Sequence, residues 1–351
     1  MRNIFIEERE VKQPKLYQAL LTFAGLVVVM FFGIKVFEVD PHIPMFIGVI
    51  IAAIMAMVLG YKWSDIEKMM VDGISKAMQS ILILAIVGMM IGAWLISGTI
   101  PTMIYYGLKL LSPKIFLVAT VLICSITSLA TGTSWGTMGT MGLALIGIGQ
   151  GLGMPLGPTA GAVLAGAYFG DKLSPLSDTT NLAPAMAGTD VFTHVKYMLK
   201  STLVAYVISL VFFGIYGFMH ASGGSLDASQ ATVIMDGIKA SFNISPLLLL
   251  PPVVVILAIA LKVPAIPGIT LGFLVAAVMA PFVQNGVDLG AILDVSLNGY
   301  TMESDVEALV DLLSTGGLMN MASSILMTMI AMMFGGIMEG TGQLAVIINT
   351  I

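Results

Sequence analysis

Long apolar runs, each closed by a short charged or Pro/Gly-rich stretch, set the rhythm of this chain. Seven of them approach the roughly 20 predominantly apolar residues that a helix needs to cross the hydrocarbon of a bilayer: Tyr17–Phe37, Ile43–Gly60, Met78–Ile96, Tyr197–Met219, Leu247–Leu261, Gly268–Val283 and Ser323–Ile347. Each predicts a membrane-spanning helix. A further apolar stretch, from Ile115 to Ala187, is interrupted by Gly, Pro and hydroxyl clusters and predicts something other than plain spans. Composition sharpens this picture: 58% of the 351 residues are hydrophobic and 10% are charged. An ordinary globular domain carries about 25% charged residues, so this chain has too little polar surface to coat a water-soluble body. The fold class expected is an all-α polytopic membrane protein. Its 38 Gly and 27 Met suit close helix packing and gap filling. The lone Cys124 rules out an intrachain disulfide and a cysteine metal cluster.

The placement of Lys and Arg orients the spans. Residues 1–16, with Arg2, Arg9, Lys12 and Lys15, read as a retained cytoplasmic N-terminal tail and not as a signal peptide. Lys62, Lys68 and Lys76 mark a second cytoplasmic loop, and Lys196 and Lys200 a third. Between Asn285 and Asn320 there are six acids and no Lys or Arg, which places that loop outside. Lys109 and Lys114 fall on the wrong side of this scheme. His42, His194 and His220 lie at predicted span ends and read as interfacial residues.

Self-comparison finds an internal repeat. Leu26–Val36 resembles Val253–Val263, Met45–Ala56 resembles Ile269–Ala280, and Gly88–Ala93 resembles Ala331–Gly336, in the same order. The expected organisation is a first transmembrane repeat over 17–220, an extracytoplasmic linker over 221–243, and a second, truncated repeat over 244–351. An odd number of crossings in the first repeat makes the two inverted, a common transporter arrangement. Carrying the first repeat's length onto the second predicts roughly 110 residues beyond Ile351.

Two polar segments interrupt the first repeat. Thr127, Ser128, Thr131, Thr133, Ser134, Thr137 and Thr140 are interleaved with Gly132, Gly136 and Gly139, between apolar arms. Gly breaks a helix and permits close backbone approach, so 115–150 predicts a helical hairpin with a polar tip. Small-residue helix packing is the alternative, although here the hydroxyls occupy every face. The second segment runs Gly170-Asp171-Lys172 to Ser174-Pro175, Ser177-Asp178-Thr179-Thr180-Asn181 and Pro184. Its prolines disfavour continuous helix, so 156–187 predicts a broken helix; a plain aqueous loop is the alternative. A charge at membrane depth costs at least ~2.5–3.5 kcal/mol, which a paired group or a bound cation would offset. Glu339 is the lone charge between Leu312 and Ile351, either an intramembrane functional acid or a helix-end residue near water.

The segments Thr131–Thr140 (TGTSWGTMGT) and Gly161–Met186 (GAVLAGAYFGDKLSPLSDTTNLAPAM), with the trailing AGTDVFTHVKYM, resemble the NhaC family of sodium/proton antiporters. The resemblance covers essentially the whole chain. It implies two inverted repeats, each with a hairpin and a broken helix, and a family fold longer than these residues. It also implies exchange of Na⁺ and H⁺, and close relatives couple these ions to small carboxylates such as malate and lactate.

The expected function is therefore a secondary antiporter exchanging Na⁺ for H⁺ across the inner (cytoplasmic) membrane, N-terminus inside. An exchanger of small carboxylates coupled to Na⁺ or H⁺ is the alternative. Asp171 and Asp178 are the expected proton- and cation-carrying groups, because burial favours a carboxyl's protonated form while a nearby cation opposes it. Ser134, Thr137, Ser177, Thr179 and Asn181 would supply neutral oxygens, with Thr133, Lys172 and Glu339 as additional candidates. No cofactor is expected; Na⁺ and H⁺ are cargo. The partners expected are membrane lipid, the two ions and, in the alternative, a small carboxylate; nucleic acid is excluded and a homodimer is left open. No phosphate-binding G-x-x-x-x-G-K-[ST] occurs. An intramembrane enzyme built on Gly132-Thr133-Ser134 is the remote alternative, because its serine would need a base in reach and no His lies inside a predicted span.

Overall fold

Helix is the regular structure of this chain in a computed structural model, which describes residues 12–350 apart from 133, 175–176, 178–179, 181–183, 185–189, 223–227 and 262. Among these residues there is no strand. Hydrocarbon offers no water to a backbone N–H or C=O, and a helix satisfies both within its own segment. Five of the described helices are long and apolar enough to cross a membrane, and a bent helix pair makes a sixth crossing if it counts as one. This is a multi-pass membrane protein.

The chain forms two compact units, one from residues up to Leu82 together with those from Ala322, the other from Ile83 to Met321. In the first unit, α1 (Leu16–Phe31) continues into a π-helical turn (Phe32–Val36) and pairs with α2 (His42–Val58). The pairing has a specific cause: Leu26 fills the space that a side chain on Gly48 would need. The opening stretch of α3 (Trp63–Ile96) crosses the end of α15 (Leu318–Gly340) backbone to backbone, since a Cβ on Gly73 would strike the Met332 carbonyl and one on Gly336 the Met69 carbonyl. Ala52, Ala56, Ile66, Phe334, Ile337 and Met338 close the core around them. The terminal α16 (Gln343–Thr350) is tied to α1 by a buried hydrogen bond from the Thr22 hydroxyl to Gln343 Oε1, 2.7 Å.

The second unit holds the rest of α3, then α4 (Thr99–Leu110), α5 (Pro113–Thr131), α6 (Ser134–Thr137), a π turn (Met138–Gly142), α7 (Leu143–Gly151), α8 (Leu156–Leu173) and α9 (Val191–Ser222). After these come α10 (Ala228–Ser241), α11 (Leu250–Ala260), α12 (Ala265–Val283), α13 (Leu289–Asn298) and the short α14 (Glu307–Leu313). Helix α11 lies on α12 with Val255 in the space a side chain on Gly272 would need, and Trp94 donates its indole N–H to the Gly272 carbonyl, 3.1 Å.

Several expected boundaries move. The span expected at Met78–Ile96 is the second part of the 34-residue α3; the charged stretch before it contains good helix formers and no Pro, so nothing stops the helix. Tyr197–Met219 extends to Val191–Ser222. The expected Ser323–Ile347 is cut at Gly342, whose φ of +76° ends α15 in the left-handed manner glycine allows. Leu247–Leu261 is shorter than expected: a 3₁₀ turn, Pro246–Leu249, leads into α11. The region expected as a linker, 221–243, contains α10, which bends by 99° into α11.

One parallel recurs in both units. Helix α3 ends before Ser97-Gly98 and α15 before Thr341-Gly342, with glycine φ values of +80° and +76°. Upstream, a Cβ on Gly92 would strike the Val295 carbonyl of α13, as one on Gly336 would strike that of Met69. This correspondence runs one residue out of step with the sequence match of Gly88–Ala93 to Ala331–Gly336.

Candidate functional site

Two chain breaks of the second unit meet at one place. Helix α5 stops because Gly132 adopts φ +68°, its N–H donating to the Ser128 carbonyl at 2.8 Å. The chain restarts as α6 at Ser134, so the stretch expected as a hairpin, 115–150, has a break at Gly132 between two helical arms. Its two arms have different neighbours: α5 lies along α8, while α7 rests on α4, with Ile148 above Gly107 and Ile104 above Gly147. The contact of α5 with α8 is close because Gly166 and Gly170 carry no side chain; a Cβ on Gly170 would sit 2.5 Å from both the Leu129 nitrogen and the Ser125 carbonyl. Helix α8 ends at Leu173, and Ser174 is extended.

Hydroxyls stitch the breaks together. Ser128 donates to the Ala167 carbonyl (2.6 Å), and Ser174 to the Leu129 carbonyl (2.7 Å). Between them, Ser134 Oγ donates to Asp171 Oδ2 at 2.7 Å. Ser134 is 2% exposed, whereas Asp171 is half-buried. Beyond the break, Thr180 Oγ1 donates to the carbonyls of Asp171 and Lys172, 3.1 Å each. It thereby satisfies part of a helix end whose last carbonyls have no intrahelical partner. Ser177 is buried one turn away, its N–H donating to the Ser174 carbonyl at 3.2 Å. The junction thus gathers a carboxylate, hydroxyls and helix-terminal carbonyls. These are hard oxygen donors, suited to a hard cation, and the negative end of the α8 dipole adds to that preference.

The expected site residues divide accordingly. Asp171, Ser134 and Ser177 come together at this junction, and Thr137 is fully buried one turn beyond Ser134. Lys172 is exposed, and among the described residues no ion pair joins it to Asp171. Thr133, Asp178, Thr179 and Asn181 lie outside the described residues. Glu339 belongs to the other unit, where it pairs with Lys76 at 2.5 Å, both side chains 55% exposed, in a groove floored by Gly73, Gly336 and Gly340. Ser128, Ser174 and Thr180 were missing from the expected set. All three are hydroxyls within or beside the two polar segments, but nothing in a sequence tells a hydroxyl that bonds a neighbouring helix from one that faces an ion.

Two further features belong to the same unit. Thr127, Gly136 and Thr140 border a cavity of about 10 Å³ closed by Pro252, Val255, Ile256 and Ile269, room for no more than one water. Asp190 opens α9 by accepting from the Thr193 N–H at 2.9 Å, and its hydrogen bonds with Thr193 hold its carboxyl below the usual value.

Several known proteins resemble this chain. Residues 166–351 match the model of the Na⁺/H⁺ antiporter family. The chain is 41% identical to the malate-2H⁺/Na⁺-lactate antiporter of Bacillus subtilis (strain 168) over 343 residues, 97% of this chain and 73% of that relative. It is 37% identical to the Na⁺/H⁺ antiporter NhaC of Alkalihalophilus pseudofirmus, over 95% of this chain and 71% of the relative. Against the NhaC of Bacillus subtilis (strain 168) the identity is 38%, over 89% and 69%. No solved structure matches the chain.

Proposed function

The chain belongs to the Na⁺/H⁺ antiporter family, and from that premise we propose that it exchanges Na⁺ for H⁺ as a secondary active antiporter of the cytoplasmic membrane, N-terminus inside. The observation that carries the site is the 2.7 Å hydrogen bond from Ser134 to Asp171, between the hairpin tip and the end of α8. One carboxylate oxygen set serves either cargo. With a proton on it, Asp171 loses the charge that attracts Na⁺; with Na⁺ beside it, the carboxylate holds a proton less well. Binding of the two is mutually exclusive, and alternation of access then makes the exchange obligatory. Ser134, Thr137 and Ser177 supply neutral oxygens, and unwound carbonyls at a half-helix C-terminus do the same in transporters of broken-helix design. Asp178, Thr179, Asn181 and Thr133 belong to the same proposed site by sequence proximity. Lys172 is assigned to the surface, and Glu339 to the pairing of α3 with α15.

The paired breaks at Gly98 and Gly342 and the paired crossings at Gly92 and Gly336 support a duplicated architecture of two inverted repeats. A second reading, exchange of small carboxylates coupled to the two ions, is favoured by the identity to the malate/lactate antiporter. Proton flux in proteoliposomes separates the readings. Na⁺-dependent flux without organic anion supports the first; flux that needs malate or lactate replaces it with the second; flux insensitive to Na⁺ removes both.

A further inference from the structure

The seam between α5 and α8 is smooth where it is tightest. A Cβ on Gly166 would sit 3.1 Å from the Ser125 nitrogen and one on Gly170 2.5 Å from the Ser125 carbonyl oxygen, so two glycines of α8 rest on one residue of α5. Bare backbone offers no side-chain ridges to lock into grooves, and such a contact resists sliding less than an interdigitated one. Register matters here, because Asp171 follows Gly170 directly and meets Ser134 at 2.7 Å. A slip of α8 by one residue's rise, about 1.5 Å, is large beside the few tenths of an ångström over which an O–H···O bond can stretch.

A third helix touches this seam from the side. Tyr206 of α9 lays its ring on that of Phe169, the residue before Gly170, with centroids 3.6 Å apart and planes 14° from parallel. Its hydroxyl oxygen lies 2.7 Å from Ser125 Oγ. Ser125 gives its one hydroxyl proton to the Val121 carbonyl, 2.7 Å away, so Tyr206 is the donor. One side chain thus holds both sides of the seam where the glycines seat, α5 by a hydrogen bond and α8 by a ring face. On a helix as apolar as α9, a phenol has no advantage over a phenyl unless its O–H finds a partner, since an unpaired hydroxyl in hydrocarbon is costly.

We propose that Tyr206 is a positioning residue for ion binding: by bracing α5 against α8 it sets the register that presents Asp171 to Ser134. It acts through the two helices and not as a ligand. The inference rests on the reading of Asp171 and Ser134 as the cation site. Hydrogen bonds across the seam, from Ser128 to the Ala167 carbonyl and from Ser174 to the Leu129 carbonyl, keep the helices together without it. Loss of the phenol therefore loosens the register and leaves the fold in place.

Tyr206→Phe isolates the brace, because the ring stays on Phe169 and Ser125 keeps its bond to Val121. Binding of radioactive Na⁺ is measured on the purified protein, and Na⁺-dependent proton flux in proteoliposomes. Tyr206→Phe should weaken Na⁺ binding and raise the Na⁺ concentration for half-maximal flux about fivefold, the scale of one hydrogen bond. Maximal flux should stay within about twofold of the parent. In a Ser134→Ala background the same substitution should have no further effect on Na⁺ binding. A lower maximal flux at unchanged Na⁺ affinity would make Tyr206 a packing residue only and overturn the proposal. So would unchanged affinity and flux, or an effect that adds in full to that of Ser134→Ala. Asp171→Asn separates this failure from failure of the site: it should abolish Na⁺ binding. If it binds Na⁺ as the parent does, the site reading falls and the proposal with it.

Discussion

Asp171 and Glu339 are both acids at the ends of apolar helices, and both sit beside a place where two helices cross on bare glycine backbone. The crossings are alike; what surrounds the acids is not. Asp171 accepts from a buried hydroxyl at the end of α8. Glu339 meets the ammonium of Lys76 in an open groove. A carboxylate already neutralised by a tethered cation has little need of another, and an exposed pair contributes only about 0–1 kcal/mol. A carboxylate that accepts from a hydroxyl has no tethered cation supplied by that partner. An acid in an apolar helix is thus a transport candidate when its partners are neutral, and a structural clasp when its partner is a fixed cation.

The largest effect expected is on coupling itself. Asp171→Asn should lower Na⁺-coupled proton flux in proteoliposomes at least 100-fold, with Glu339→Gln within twofold of the parent. The reverse ranking would invert the comparison, and silence of both would move the site to Asp178. Next comes the seam that brings the junction together. Gly170→Val forces side-chain atoms into the Ser125 and Leu129 backbone and should cost about 1–3 kcal/mol by overpacking, read as a lower melting temperature in detergent. Gly335, whose Cβ would meet nothing within 4 Å, is the control, and a Gly335→Val loss as large would show that the seam is nothing special.

A smaller effect is expected from the neutral oxygens. Ser134→Ala removes one hydrogen bond to a charged group, about 1.5–3 kcal/mol, and should raise the Na⁺ concentration for half-maximal exchange roughly tenfold or more at that magnitude. Combined with Asn181→Ala, the effects should be non-additive if both groups face one ion. Full additivity would separate Asn181 from the Ser134 site. The smallest effect is expected at the clasp: Lys76→Met should change stability by no more than about 1 kcal/mol, and the swap of Lys76→Glu with Glu339→Lys should restore the parent's melting temperature. A Lys76→Met loss of coupling would promote the groove from clasp to transport element.

Much of the fold was legible in the order of residues because a bilayer imposes length and polarity on each segment separately. The spans and the break at Gly132 are local consequences of apolar run length and of glycine's access to φ > 0. Boundaries were less legible. Trp63–Lys76 carries charges but nothing that stops a helix, so α3 runs through a stretch that hydropathy alone excludes. The division of Ser323–Ile347 turned on one left-handed glycine in an otherwise apolar run.

By itself, then, the sequence determined that this protein lives in a membrane, how its helices alternate with breaks, and which polar segments lack an ordinary reason to be there. Tertiary structure alone decided which acid faces neutral oxygens and which a lysine. Asp171 meets Ser134, 37 residues away, and Glu339 meets Lys76, 263 residues away. Local periodicity cannot encode contacts of that separation. They arise where glycines let helix backbones touch, and the identity of the group on the other side of such a crossing is a property of the packed chain.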